Sequence, residues 1–337
     1  MVGSVITLFG TQAFGQIDTY LSKLHQNGNL NGNVLVIKDG KTLYEKSFGY
    51  TDGTKTNRLN KDYRFDVGSV YKEFPAVAIM QLVETKQLSL DDKLSKYLPE
   101  LPEWSKRIAI KNLLQYSSGL PRIAWGNYFG KGLGITDADI MQDLQNIDTL
   151  AFEPGTDYIY SNYNPILLIK IVERITNTSY SAYLESHIFA PAGMKSTVVK
   201  KEYPYKDKTL MAMPFDADFK EDAHDIAVDG LLFSSTAEDM ARWFESLGDF
   251  KLISKQSVQQ LSETAKEGEN IQAPLGACLW ENDDITQHAH HGSSGNYECL
   301  VTRYKQEGIT IVILTNQKHG NVHEITDAIY GMVKSDF

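Results

Sequence analysis

The sequence lacks the features that mark a metal-binding, nucleic-acid-binding or membrane-spanning protein. Its 337 residues include only two cysteines, Cys278 and Cys299, and neither has a C-x-x-C or other metal-ligand spacing. The formal net charge is −10 and there is no run of basic residues, which argues against nucleic acid and anionic membrane surfaces as partners. No apolar run reaches the ~18 residues that a membrane span needs. What remains is an ordinary globular composition with enough hydrophobic residues for a sizeable core.

The N-terminal residues 1–15 are small and apolar, like the hydrophobic and cleavage regions of a secretory signal. The positively charged start of such a signal is missing. Either these residues are a truncated signal peptide or they are an ordinary N-terminal segment, and we favour the first interpretation. It predicts a periplasmic or secreted protein, with a cytoplasmic one as the alternative. The mature chain, residues 16–337, is predicted to form a single domain.

Strand-like segments occur at both ends of the chain, and helical patterns lie between them. Residues 17–26 show a helical pattern, followed by two strand-like runs, 33–38 and 41–48, joined at the hairpin signal Asp39-Gly40. Toward the C-terminus the predicted elements are strands at 274–280, 286–290, 297–304 and 309–314 and a helix at 322–333. If the strands that carry the two cysteines are neighbours, a disulfide can form; we favour two buried thiols.

This order of elements predicts an α/β (α+β) fold. One antiparallel sheet is built from both termini and flanked by the first and last helices, and a mostly helical lobe spans about residues 88–245. A cleft between sheet and lobe is the natural place for a functional site. A helix is also predicted over residues 69–86, with Pro75 either kinking it or lying in its first turn.

The most informative motif is Ser69-Val70-Tyr71-Lys72, at the start of this helix. A helix would place Lys72 one turn beyond Ser69 on the same face. A partly desolvated lysine can be neutral enough to accept the proton of a serine, which makes a nucleophile with an adjacent base. The alternative is a helix-capping serine followed by a solvated lysine.

Two further segments carry candidate site residues. Tyr160 can relay protons beside a lysine, and Asn162 offers a donor and an acceptor to a substrate amide. In the segment HHGSSG, the N–H of Ser293 could form an oxyanion hole with that of Ser69. His288 and His290 share one face of a strand, so a metal site and plain surface histidines are both alternatives there. Residues 113–121 are interpreted as a helix end without a catalytic role.

Together these segments resemble the serine β-lactamase and penicillin-binding protein superfamily, and within it the class C β-lactamase-like serine hydrolases. The resemblance runs from about residue 30 to the C-terminus. Its motifs are Ser69-x-x-Lys72, LSLDD at 88–92, YLP at 97–99, residues 110–121, PG at 154–155, Tyr160-x-Asn162, PAGM at 191–194, DGL at 229–231, SST at 234–236 and His290-x-Gly292.

The resemblance implies a role for each matching residue and implies neither a cofactor nor a metal. Ser69 would form an acyl-enzyme, and Lys72 and Tyr160 would share its proton as general base. Asn162 would hold the acyl-side amide of the substrate. In the last motif, His290 would lie beside a substrate carboxylate, Gly292 would border the substrate, and Ser293 would supply the second oxyanion N–H.

One departure from the family pattern bears on the substrate. The third motif is His-x-Gly, whereas a lysine often occupies the place of His290, and histidine is mostly neutral at pH 7. This favours a serine hydrolase that acts on ester or amide substrates, including D-amino-acid peptides. The alternatives are a true class C-like β-lactamase and a penicillin-binding or sensing protein that acylates without turnover.

Overall fold

The computed structural model describes residues 9–336. The strands are β1 Gly32–Lys38, β2 Lys41–Phe48, β3 Phe65–Asp66, β4 Ile135–Thr136, β5 Val198–Lys200, β6 Ile226–Ala227, β7 Leu232–Ser235, β8 Ala277–Glu281, β9 Asp284–Ser294, β10 Tyr297–Tyr304 and β11 Ile309–Thr315. The α-helices are α1 Phe9–Gln26, α2 Glu73–Glu84, α3 Leu94–Tyr97, α4 Ile110–Leu114, α5 Asp137–Gln145, α6 Tyr163–Thr176, α7 Tyr180–Leu184, α8 Ala190–Ala192, α9 Ala237–Gly248, α10 Lys255–Ser262 and α11 Val322–Asp336. Short 3₁₀ turns cover Gly68–Lys72, Glu103–Lys106, Trp125–Asn127 and Phe129–Lys131, and a π-helical turn covers Glu185–Phe189.

The central sheet has six strands in the order β2-β1-β11-β10-β9-β8, and every neighbouring pair is antiparallel. Both termini contribute to it, because β1 pairs with β11 over its full length. The predicted fold class is therefore confirmed. Alternation along β1 explains its two packing faces: Val34 and Val36 face the terminal helices, and Leu35 faces the main core.

Helices α1 and α11 cover one face of the sheet through buried residues such as Ile17, Leu21, Ile325 and Ile329. Helix α1 begins at Phe9, earlier than the sequence pattern indicated, and α11 extends to Asp336. The predicted signal peptide remains a prediction: residues 1–8 lie outside the described residues, and residues 9–15 belong to α1. No helix within residues 9–336 is long and apolar enough to cross a membrane.

The lobe that packs on the other face is less purely helical than predicted. It contributes β5 and β7, which form a three-stranded sheet with β3 in the order β3-β7-β5, and the short parallel pair β4–β6. These strands were missed because each spans only two to four residues, too few for a period-2 pattern. The predicted helix over 69–86 begins instead at Glu73, so that Pro75, which lacks an N–H, lies in the first turn.

Both cysteines are free thiols in the structure. Burial raises the pKa of Cys278 to about 12 and that of Cys299 above its usual range, so neither is an activated thiolate at neutral pH. The favoured interpretation, two thiols and no disulfide, agrees with this arrangement.

Candidate active site

The candidate nucleophile lies on the 3₁₀ turn Gly68–Lys72, which we call the nucleophile turn. Ser69 is partly exposed, and Lys72 Nζ donates a hydrogen bond to Ser69 Oγ at 2.9 Å. Residues three apart in a 3₁₀ turn lie one above the other, so the S-x-x-K spacing brings the two side chains together. Lys72 is only 4% exposed, which removes the alternative of a solvated lysine.

The environment of Lys72 suits a proton acceptor. Burial lowers the pKa of its amine to about 7, although the neighbouring Asp66 acts in the opposite direction. Asp66 is itself buried, and burial raises the pKa of its carboxyl to about 7. The hydrogen bond of 2.8 Å that the carboxyl accepts from the Gly68 N–H acts in the opposite direction. A substantial fraction of Lys72 is therefore neutral near pH 7.

The Asp66 carboxylate is expected to set the pH at which Lys72 becomes a base. Asp66→Asn removes the charge that holds the Lys72 pKa up, so the acid limb of kcat/KM should move to lower pH by up to about one unit. The measurement is the pH–rate profile of Asp66→Asn. The control is the profile of Asp92→Asn, because the Asp92 carboxyl accepts hydrogen bonds from Tyr97 and Lys96 outside the cleft. An upward shift, or an unchanged limb, would show that Asp66 does not act on this amine.

Tyr160 lies over the same pair of side chains. Lys72 Nζ is 4.9 Å from the centre of the Tyr160 ring, and the side chain of Ser69 lies near enough to the phenol to act on its pKa. Burial raises the pKa of the Tyr160 hydroxyl to about 12, although Ser69 acts in the opposite direction. At neutral pH the phenol is therefore protonated, and Lys72 is the group that titrates.

Asn162, at the start of α6, lines the same cleft. Its Oδ1 atom is buried and accepts no hydrogen bond from the described residues. A buried acceptor without a partner is unfavourable unless a ligand satisfies it. This geometry fits the expected contact with a substrate amide N–H.

Strand β9 approaches the nucleophile turn backbone to backbone. A Cβ atom on Gly292 would lie 1.9 Å from Val67 O and 2.9 Å from Ser69 N, and one on Gly68 would lie 2.3 Å from Ser293 N. Only glycine permits such an approach. It brings the N–H groups of Ser69 and Ser293 to the same region, as an oxyanion hole requires. Gly292 thus faces the turn and does not line the cleft.

His290 has a different environment from the one expected. It is 3% exposed, it does not line the cleft within the described residues, and its Nδ1 atom is 2.7 Å from Oε1 of the buried Glu73. Strand alternation places His288 on the same inward face, where its Nε2 atom is 2.9 Å from the same oxygen. The prediction that His290 faces the substrate and the alternative that it is a surface histidine are therefore both wrong.

Residues 9–336 contain no group of three or more His, Cys, Asp or Glu side chains arranged to hold a metal ion.

A cation does border the cleft, and the sequence motifs did not indicate it. Lys318 Nζ donates a hydrogen bond to Ser293 Oγ at 2.7 Å. The register explains the contact, because Ser293 of β9 pairs with Glu298 of β10, and Glu298 pairs with Thr315 at the end of β11. Lys318 is an exposed residue in the loop after β11, so its contact with Ser293 could have been predicted only from this strand register.

The cleft between sheet and lobe has a volume of about 230 Å³. Ser69, Lys72, Asn162 and Ser293 are among the residues that line it. The apolar part of the lining is formed by Trp125, Phe129, Ile226, Leu231 and Leu232. The rings of Trp125 and Phe129 are stacked at 5.7 Å. The cleft therefore offers an apolar surface to a group attached to the reacting carbonyl.

Comparisons with known proteins identify the family and the fold. The family described as Beta-lactamase matches residues 17–333. Penicillin-binding protein 4* of Bacillus subtilis (strain 168) is 27% identical over 331 residues, which cover 91% of this chain and 73% of the relative. A class C beta-lactamase structure has a TM-score of 0.79 at 19% identity and covers 99% of both chains. The D-amino acid amidase of Ochrobactrum anthropi SV3 has a TM-score of 0.76 at 20% identity, with 97% of this chain and 99% of the other covered.

Proposed function

Because this chain belongs to the beta-lactamase family, we propose that it is a serine hydrolase that forms an acyl-enzyme on Ser69 with ester or amide substrates. The observation that carries the proposal is the hydrogen bond of 2.9 Å between Ser69 and a buried lysine whose pKa is lowered to about 7. That pairing supplies a nucleophile and an adjacent base whose pKa lies near neutral pH.

The proposed reaction proceeds in two acyl transfers. Neutral Lys72 accepts the proton of Ser69 while Ser69 Oγ attacks the substrate carbonyl, and the N–H groups of Ser69 and Ser293 stabilise the oxyanion. As the bond to the leaving group breaks, a proton passes from Lys72 to the leaving oxygen or nitrogen, with the Tyr160 hydroxyl as the relay. In the second transfer Lys72, with Tyr160 as relay, accepts a proton from the water that attacks the acyl carbon; as the bond between this carbon and Ser69 Oγ breaks, the proton passes to Oγ and the carboxylic acid leaves.

The lining of the cleft supports a substrate with an apolar group beside an ester or amide. Trp125, Phe129 and Leu231 would contact this group, and Asn162 Oδ1 would accept a hydrogen bond from an amide N–H. Small esters, amides and D-amino-acid peptides all have this chemistry. The similarity to the structure of a D-amino acid amidase supports the amide branch of the proposal.

Hydrolysis of β-lactams is the second candidate, because one observation favours it. Lys318 places a permanent positive charge beside Ser293, where a substrate carboxylate could bind, and so compensates for the buried His290. The similarity to a class C beta-lactamase structure is consistent with this candidate.

Turnover of nitrocefin beside p-nitrophenyl esters of increasing acyl length tests both candidates. Ester turnover without nitrocefin turnover would support the esterase or amidase activity, and fast nitrocefin turnover would make the protein a β-lactamase. A stable acyl adduct in the intact mass without turnover would identify a penicillin-binding protein. Absence of both adduct and turnover would contradict the proposed function.

Lys318→Gln is expected to separate charged from neutral substrates. Loss of one charge-assisted hydrogen bond should raise KM for a carboxylate-bearing substrate by about tenfold and leave neutral esters nearly unchanged. Lys251→Gln, on an exposed residue paired with Asp249, is the matched control. An equal effect on both substrate classes would show that Lys318 does not bind the carboxylate.

A further inference from the structure

Glu73 is a buried carboxylate that the proposed reaction does not use. It directly follows Lys72 in the chain and is 0% exposed. Trp243 Nε1 donates a hydrogen bond to Oε2 at 2.6 Å, and His288 and His290 both contact Oε1. A buried charge is costly unless it is well paired. Burial alone would raise the pKa of this carboxyl, but the two histidines outweigh burial and lower it to about 2.

The ionised carboxylate fixes the protonation of both histidines. Because a carboxylate only accepts hydrogen bonds, His288 must carry its proton on Nε2 and His290 must carry its proton on Nδ1. Burial lowers the pKa of His290, which keeps the ring neutral near pH 7. The His290 imidazole is thereby held in one tautomer and one orientation.

Packing on both sides of the carboxylate fixes these rings in place. The rings of Phe74 and Trp243 are stacked with their centroids 4.0 Å apart, and the rings of Phe244 and His288 are stacked with their centroids 4.1 Å apart. The contacts join α2, α9 and β9.

This network spans the point where the active site is assembled. The two oxyanion donors lie on different elements, Ser69 on the nucleophile turn and Ser293 on β9. Glu73, the first residue of α2, directly follows the nucleophile turn, and His290 lies three residues before Ser293 on β9. The bond between Glu73 and His290 therefore connects the start of α2 to β9, close in the chain to both donors.

We propose that Glu73 is a positioning residue, which holds His290 in its Nδ1–H tautomer and so keeps β9, with the N–H of Ser293, in register with Ser69. The expected effect on kcat rests on the proposed function, whereas the tautomer of His290 does not depend on that function. A misplacement of about 1 Å at such a site reduces turnover by about 100-fold.

The first measurement is the tautomer of His290 in the wild-type protein, by ¹⁵N NMR of histidine-labelled enzyme. The two nitrogens of a neutral imidazole differ strongly in ¹⁵N shift according to which carries the proton, and the signal is assigned by its loss in His290→Asn. The proposal expects protonated Nδ1. Protonated Nε2 would overturn it, and no substrate or variant stability is needed for this result.

The kinetic test uses Glu73→Gln, His290→Ala and their combination. Glu73→Gln should lower kcat by about 10- to 100-fold with KM changed less than about threefold. The double variant should be no slower than the slower single variant, because both changes remove one connection. Multiplying effects, or wild-type kcat in Glu73→Gln, would overturn the proposal.

Two further variants separate positioning from general stability. His290→Asn keeps a donor at the place of Nδ1 and should recover most of the activity that His290→Ala loses; equal losses would overturn the proposal. Glu84→Gln, at the other end of α2 and bonded to Ser254 and Ser257, should keep wild-type kinetics. If the wild type turns over no substrate, the proposed function fails, and the rate of Ser69 labelling by a fluorophosphonate replaces kcat in this comparison.

Discussion

Ser69→Ala is expected to abolish hydrolysis of every substrate that the wild type turns over, with a loss of about 10³-fold or more. The hydroxyl is the only group in the proposed reaction that forms a bond to the substrate, and no neighbouring side chain can replace it: Lys72 would lose its proton donor and Tyr160 would remain a protonated phenol. The fold should be unaffected, because Ser69 is partly exposed and buries little surface.

The check is steady-state turnover together with intact-mass detection of a Ser69 adduct with a fluorophosphonate or a slow substrate. Ser186→Ala, on an exposed serine of the lobe, controls for loss of a hydroxyl elsewhere. Full turnover by Ser69→Ala, or an adduct of undiminished yield, would show that another residue is the nucleophile.

Lys72→Met should reduce kcat/KM by about 10²- to 10⁴-fold and should also remove the acid limb of the pH profile. In the wild type, the amine must be neutral to accept the proton of Ser69. Because its pKa is lowered to about 7, activity should fall as the pH decreases through that value. Methionine has similar length and no titratable group, so the residual rate should vary little over this range.

Thermal unfolding separates this loss from damage to the fold. A buried lysine with a lowered pKa disfavours the folded state whenever the unfolded lysine is protonated, so Lys72→Met should unfold at no lower temperature than the wild type near pH 7. Lys93→Met, on an exposed lysine, is the control. A variant that is inactive only because it unfolds would make Lys72 a structural residue.

The sequence revealed the parts of the molecule that local patterns specify. The Ser69–Lys72 pairing follows from a spacing within one turn, and the central sheet follows from strands long enough to alternate. Tyr160 and Asn162 were candidates by their chemistry, and the resemblance to a family supplied their roles. The structure brings these four residues together at one cleft or over it.

The remaining features depend on contacts between distant segments. In the sequence, Glu73 is an ordinary acidic residue in the first turn of a helix, where solvent exposure is the usual expectation. Its partner His290 is 217 positions away, and nothing local indicates that both are buried. The placement of His290 was wrong for this reason: alternation defined its face, but not what packs against that face. Lys318 was missed similarly, since its contact with Ser293 depends on strand register.

The close approach of Gly292 to the nucleophile turn also determines when a folding chain becomes chemically competent. A single turn brings Ser69 and Lys72 together, and such local structure forms within microseconds. The second oxyanion donor arrives only when β9 has paired with β10 and closed onto the turn, and contacts of such long sequence separation form late. A partly folded chain thus has a serine and an amine but no oxyanion hole. The proposed hydrolysis is therefore expected to begin only after β9 has closed onto the turn, so its onset would report this late contact.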